Sequence, residues 1–256
     1  MSLLALAADT ERVVAQTAIA LDQATAQKHA NELLRLGEIR MRLGEPRKAE
    51  RALDEAATGF WKIVSPFNRE RAAFARVMQS VLAMDDGRFE DGLKILDRLV
   101  EQFGGFPKFQ EIPEGRPLGL GSWLIGLEHV EDYERLYEVA GMALELLDPA
   151  GPAKERLEIA KAFAKRANAA SALGHKDEAL ELYEQAIVRL KAEDPAVVGK
   201  ELINATANLA IVQTELGLVN ESVTESLTAF RQVVGTTATA LPKMAISRLF
   251  GSRRKQ

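Results

Sequence analysis

Three histidines, His29, His129 and His175, are the side chains of this chain best suited to proton transfer or metal ligation near neutral pH. They fall at unrelated places in the pattern described below, so they form no metal-ligand set with helical spacing. The carboxylates Glu178, Glu181 and Glu184 do recur at helical spacing. That spacing describes the solvent face of a helix with Lys or Arg neighbours, and not an acid–base pair. No Gly-x-Ser-x-Gly elbow, no His-Glu-x-x-His and no glycine-rich turn followed by Gly-Lys-Ser/Thr occurs. There is no cysteine, which excludes disulfides, thiolate metal sites and cysteine nucleophiles. No nucleophile, base and orienting group can be assembled. The expectation is a protein that is not an enzyme and uses no cofactor and no metal.

The bulk properties agree with a globular chain. It has 256 residues, 47% hydrophobic and 27% charged. No run of apolar residues is long enough to span a bilayer. The start, MSLLALAADTER, has no basic segment ahead of its short apolar run, so no secretory signal is expected. Absence of cysteine fits a reducing compartment, and the chain is assigned to the cytoplasm on that basis. The net charge of −4 hides an asymmetry. From Ser226 to Gln256 there is no acid, while Arg231, Lys243, Arg248, Arg253, Arg254 and Lys255 are basic. An acidic body thus carries a basic end.

The elements that would position any site follow from a repeat. The stretch LGHKDEALELYEQAI, from Leu173 to Ile187, has counterparts in LGEPRKAERALDEAA, DGRFEDGLKILDRLV and LGLVNESVTESLTAF, and a weaker one in VEDYERLYEVAGMAL. A small or apolar marker opens the second helix of each, at Ala49, Gly92, Leu136, Ala179 and Ser222, with separations of 43, 44, 43 and 43 residues. Four residues on come Leu53, Leu96, Ala140, Tyr183 and Ser226. Seven on come Ala56, Leu99, Ala143, Ala186 and Ala229. These spacings place each set on one helical face. Gly44, Gly87, Gly174 and Gly217 end the preceding helix, and only Glu131, in the third copy, breaks that rule. Upstream stripes such as Leu33, Leu36, Ile39 and Leu43, or Phe163, Ala167, Ala170 and Leu173, predict a first helix in each unit. Each unit therefore reads as two antiparallel helices, A then B.

The set Leu33, Leu36, Gly37, Gly44, Ala49, Leu53 and Ala56 resembles the tetratricopeptide repeat (TPR). The usual unit is about 34 residues. The longer period here is similar to kinesin-light-chain-type units and to bacterial sensor or adaptor arrays. INATANLAIVQTELG, from Ile203 to Gly217, is similar to the Asn-Leu-Ala first helix of such units. The resemblance covers roughly residues 30 to 230. It implies an all-α fold: an α-solenoid of about five helix–turn–helix hairpins with N- and C-terminal capping helices. Residues 1–28 are expected to form an N-terminal capping helix or partial repeat, 29–236 the repeat domain, and 237–256 a C-terminal capping helix and basic tail. Five glycines and three prolines between Phe103 and Gly121 predict an irregular loop over 103–121.

In that family the A helices line a concave groove that binds peptides. Position by position, the resemblance gives Phe74, Val77, Val81 and Met84 in the second unit, Lys161, Lys165 and Asn168 in the fourth, and Asn204 and Asn208 in the fifth. The first set is apolar, and the same residues could equally be core between helices. The others offer amide and ammonium groups, and an amide can both donate to and accept from a peptide backbone. The functional expectation is a protein-interaction module or adaptor with a peptide or protein partner. Two alternatives are a ligand-sensing regulatory array and a binder of nucleic acid or anionic membrane through the basic tail. The acidic body disfavours the polyanion reading. A homo-oligomer is compatible with the exposed apolar faces of end units.

Overall fold

Each A helix stops at a residue with left-handed backbone. In the computed structural model, which describes residues 2–18, 22–63, 65–103 and 116–218, Gly174 has φ +89°. Its N–H donates to Ser171 O at 3.2 Å, and His175 N–H donates to Ala170 O at 2.8 Å. These two bonds satisfy carbonyls that the helix end would otherwise leave open. Gly44, Gly87 and Gly217 repeat the same pair of bonds and the same sign of φ. The third copy, which lacks the glycine, keeps the sign of φ: Glu131 has φ +58°. A β-carbon there works against the backbone conformation.

The described residues contain ten helices in two compact units, Met1–Val130 and Glu131–Gln256. The first unit holds α1 (Leu3–Thr17), α2 (Gln23–Arg42), α3 (Pro46–Lys62), α4 (Pro66–Asp85), α5 (Phe89–Gln102) and α6 (Arg116–His129). The second holds α7 (Tyr133–Leu146), α8 (Ala153–Ala172), α9 (Lys176–Lys191) and α10 (Pro195–Glu215). Helices begin where the chain supplies caps. Asp22 accepts from Thr25 N–H at 2.9 Å, and Ser65 from Asn68 N–H at 3.1 Å. Proline opens α3, α4 and α10, where no intrahelical N–H is needed.

In the first unit α1 packs on α2, α2 on α3, α3 on α4, and α4 and α5 on each other and on α6. In the second, α8 lies against α7 and α9, and α9 against α10. The marker positions explain how closely. Ala49, Leu136 and Ala179 have no exposed surface. A methyl added at Gly92 would lie 2.7 Å from Met84 Cγ and 3.0 Å from Ser80 O. The positions four and seven residues on are buried in every described copy, from Leu53 and Ala56 to Tyr183 and Ala186.

One expectation needs adjustment. Residues 116–121 are helical, although they fall inside the loop predicted over 103–121. Pro117 sits in the first turn of α6, where it is tolerated. Burial of Leu120, Trp123, Leu124 and Leu127 outweighs the low helix propensity of the glycines. Residues 104–115 and the expected C-terminal cap and basic tail lie outside the described residues. No described helix is long and apolar enough to cross a membrane.

A charged node ties α1 to the first hairpin. Arg40, 8% exposed, pairs with Glu11 of α1 and with Glu45 of the α2–α3 turn. Glu45 also accepts from Lys48 at 3.2 Å. The bonds from Lys48 and then Arg40 hold the Glu45 carboxyl below the usual range. A depressed carboxyl stabilises the fold above its unfolded pKa and loses that contribution as pH falls through its folded pKa. Urea unfolding across pH should therefore find Glu45→Gln less stable than wild type at neutral pH, with the two curves converging below about pH 4. The turns give a second test. Gly174→Ala should cost about 1–2 kcal/mol, because no atom obstructs a methyl there and only the backbone opposes it. Glu131→Gly should instead gain up to about 1 kcal/mol, the freedom glycine loses on folding offsetting part of the relief. Thermal melts of both variants would show shifts of opposite sign.

Candidate functional site

On α8, Lys161, Lys165 and Asn168 are spaced i, i+4 and i+7, so they share one face. On α10, Asn204 and Asn208 are spaced i and i+4. All five side chains are half-buried. The structure joins the two helices through the amides. Asn208 Nδ2 donates to Asn168 Oδ1 at 3.0 Å. The same oxygen accepts from Tyr183 O–H at 2.5 Å. Tyr183 comes from α9 and is 2% exposed. Its ring fills the space between the A helices, and its hydroxyl reaches through to fix Asn168. One carbonyl oxygen thus takes two donors, and both amides are oriented by bonds within the unit. Lys161 donates to Glu158 Oε1 at 3.1 Å, which leaves a compensated charge one turn from Lys165.

The opposite side of α8 is held by a cation and an aromatic ring. Arg166 lies 4.4 Å from the Tyr137 ring centroid and donates to its hydroxyl at 2.8 Å. Tyr137 O–H in turn donates to Glu178. Glu178 therefore has an arginine near it, 3.8 Å away, but it is half-buried and bonded to Tyr137, unlike a fully solvated face position. Glu181 and Glu184 are exposed. The three histidines are in three places. His29 Nδ1 is 3.0 Å from Thr17 Oγ1, His129 stacks on Phe89 with centroids 4.0 Å apart, and His175 is exposed.

The apolar set of the first unit is divided by the structure. Phe74 and Val81 are half-buried. Val77 has no exposed surface and Met84 has 7%, so both belong to the helix packing and present nothing to a ligand. Met84 fills the space left by Gly92 and by Gly126, where an added methyl would come within 2.8 Å of it. The physical reason is periodicity. The spacing i, i+4, i+7 that holds for Lys161, Lys165 and Asn168 gives Phe74, Met78 and Val81 on α4. Met78 is half-buried and was the residue to name. Applying the spacing of the fourth unit to the second would have found it. Ile125 of α6, 45% exposed, is at the same repeat position as Val81 and Asn168.

The sequence matches no protein-family model and no curated protein. Solved structures do match. BtubC (BKLC) from P. vanneervenii is similar over 94% of this chain and 94% of its own, with 15% identity and a TM-score of 0.65. Kinesin light chain nearly identical TPR-like repeats of Podosopora anserina match over 84% of this chain and 98% of theirs, with 14% identity and a TM-score of 0.57. The apo form of RapI matches 91% of this chain and 59% of its own, with 9% identity and a TM-score of 0.67. At such identities the likeness shows the fold, an all-α helical-repeat solenoid of TPR-like hairpins.

The amide cluster can be tested through stability alone. Asn168→Ala leaves the buried Tyr183 hydroxyl without its acceptor and should cost about 1–3 kcal/mol. Tyr183→Phe removes the donor as well as the need for it and should cost only about 0.5–1.5 kcal/mol. In the double variant Asn168→Ala, Tyr183→Phe, denaturant unfolding should show less than the sum of the two costs.

Proposed function

We propose that this chain, built on a TPR-type fold, is a protein-interaction module that holds an extended peptide segment against the A-helix face of its second unit. The observation that carries this reading is the amide pair Asn168 and Asn208, held 3.0 Å apart across α8 and α10. Half-buried amides on a helix face satisfy backbone donors and acceptors without dictating sequence. Asn204 extends the row by one turn of α10, and Lys165 adds a positive group suited to an acidic group on the ligand, with Lys161 one turn away already paired with Glu158. Such a ligand would lie along the pairs and exchange water for backbone hydrogen bonds. In the first unit, Phe74, Met78, Val81 and Ile125 would serve apolar side chains of a partner.

Affinity purification from native lysate would supply candidate segments, and titration would then judge the site. Asn208→Ala, Asn204→Ala and Lys165→Ala together should weaken binding of a segment tenfold or more, since each lost bond contributes about 0.5–1.5 kcal/mol. Asn168 is left intact in this triple variant because it also supports Tyr183. Undiminished affinity in the triple variant would remove the face from consideration.

A further inference from the structure

The side of α4 turned away from Phe74 and Val81 borders a hollow. Ala72 and Arg76 sit one turn apart on that side. With α3 and α5 they line a partly open hollow of about 220 Å³. Its floor is Ala57, Ala72 and Leu99, which are 2%, 2% and 1% exposed. Its wall is Trp61, 41% exposed, whose ring stands edge-on to Phe103 with centroids 5.9 Å apart. The rim carries Lys62 and Arg76. Arg76 is committed to Asp54 at 2.5 Å and Gln79 at 2.7 Å. Lys62 is exposed and forms no ion pair among the described residues.

The chain's own repeats show that this hollow is a departure from the pattern. The repeat positions of Ala57 and Ala72 are taken by Leu144 and Ile159 between α7 and α8, and by Ile187 and Leu202 between α9 and α10. Large aliphatic side chains fill that space in the second unit, and two alanines leave it open in the first. Unfilled apolar volume costs stability. At the position of Trp61 the same repeats carry Asp148 and Lys191. A bulky ring thus stands beside the emptied space, where these two copies place a charge.

We infer that the hollow is a binding site for a small arene carboxylate, separate from the A-helix face. The volume is below the roughly 300–1,000 Å³ of pockets for drug-sized ligands. It exceeds the roughly 150 Å³ cavity that accepts a benzene ring. One aromatic ring therefore fits, flat on the alanine floor and against the edge of Trp61. The carboxylate projects to the rim, where Lys62, unpaired among the described residues, supplies a positive charge. Displacing loosely held water from an apolar floor favours the ring.

The test is a titration of the full chain with benzoate and with benzyl alcohol, its neutral counterpart, followed in methyl-resolved NMR spectra. Saturable shifts are expected at the Ala57, Ala72 and Leu99 methyls, half-complete near roughly 1 mM benzoate for a nine-atom ligand of ordinary efficiency. Lys62→Met should weaken benzoate about two- to fivefold and leave benzyl alcohol unchanged. Ala72→Leu, which restores the residue type of the later repeat, should weaken both at least about tenfold. Should that variant fail to fold, the wild-type shift map and Lys62→Met still decide. Shifts confined to other methyls, or no saturable shift, overturn the site. Equal loss of both ligands in Lys62→Met, or no loss of either, overturns the assignment of the carboxylate.

Discussion

The hairpins depend on one backbone conformation, a left-handed residue directly after each A helix. At the four glycine turns it closes the last turn with two hydrogen bonds. The B helix then begins at a fixed offset, and its first apolar position meets the A helix where the two lie closest. That position must be small where the approach is tightest, as at Gly92, whose neighbours are the Met84 side chain and the Ser80 main-chain oxygen. The third copy shows the dependence by its exceptions. Glu131 replaces the glycine and Leu136 the small marker, and the sequence signal is weakest there too. The left-handed conformation is kept at Glu131, φ +58°, although the residue best suited to it is missing.

A fixed hairpin gives every A helix two unlike faces. One is set against the B helices and is read by volume. On α4 it holds Ala72, Val77 and Met84, and substitutions there open or fill space. The other face is not constrained by the hairpin, and the chain varies it freely: apolar on α4, amide and ammonium on α8 and α10. Comparison of repeats within one chain then separates residues the fold requires from residues it merely permits. Tyr183 belongs to the first kind by burial, yet its hydroxyl serves the second by holding Asn168.

Much of the architecture was legible in the sequence because it is periodic. The 43-residue spacing, the turn glycines and the small positions of the B helices all express one steric requirement repeated along the chain. What was not legible had a local cause each time. Val77 and Met84 look like Phe74 and Val81 in composition, and at their spacing a stripe drifts from the open face into the packed one. The glycines and prolines of 116–121 argue against helix by propensity, and tertiary burial of Leu120 and Trp123 overrides them. The hydrogen bond between Asn168 and Asn208 joins residues 40 apart in the chain. Their helical faces could be predicted, and the contact across two helices could not.

That contact bears on how a polar face binds anything at all. A free asparagine side chain on a helix surface samples several rotamers and exposes its amide to water, so a ligand must order it and displace well-solvated groups. Asn168 is different, because its oxygen takes donors from Tyr183 below and Asn208 beside it. The ordering has already occurred during folding, driven by the need to satisfy a buried tyrosine hydroxyl. Asn208 is aligned by the same bond through its own Nδ2, and its carbonyl end is thereby directed away from Asn168. The cost of presenting an oriented acceptor beside the α8 lysines is met by the core and not by the ligand. A peptide backbone arriving at this face would find its hydrogen-bonding partner placed in advance, whereas the apolar face of α4 offers a partner area without direction.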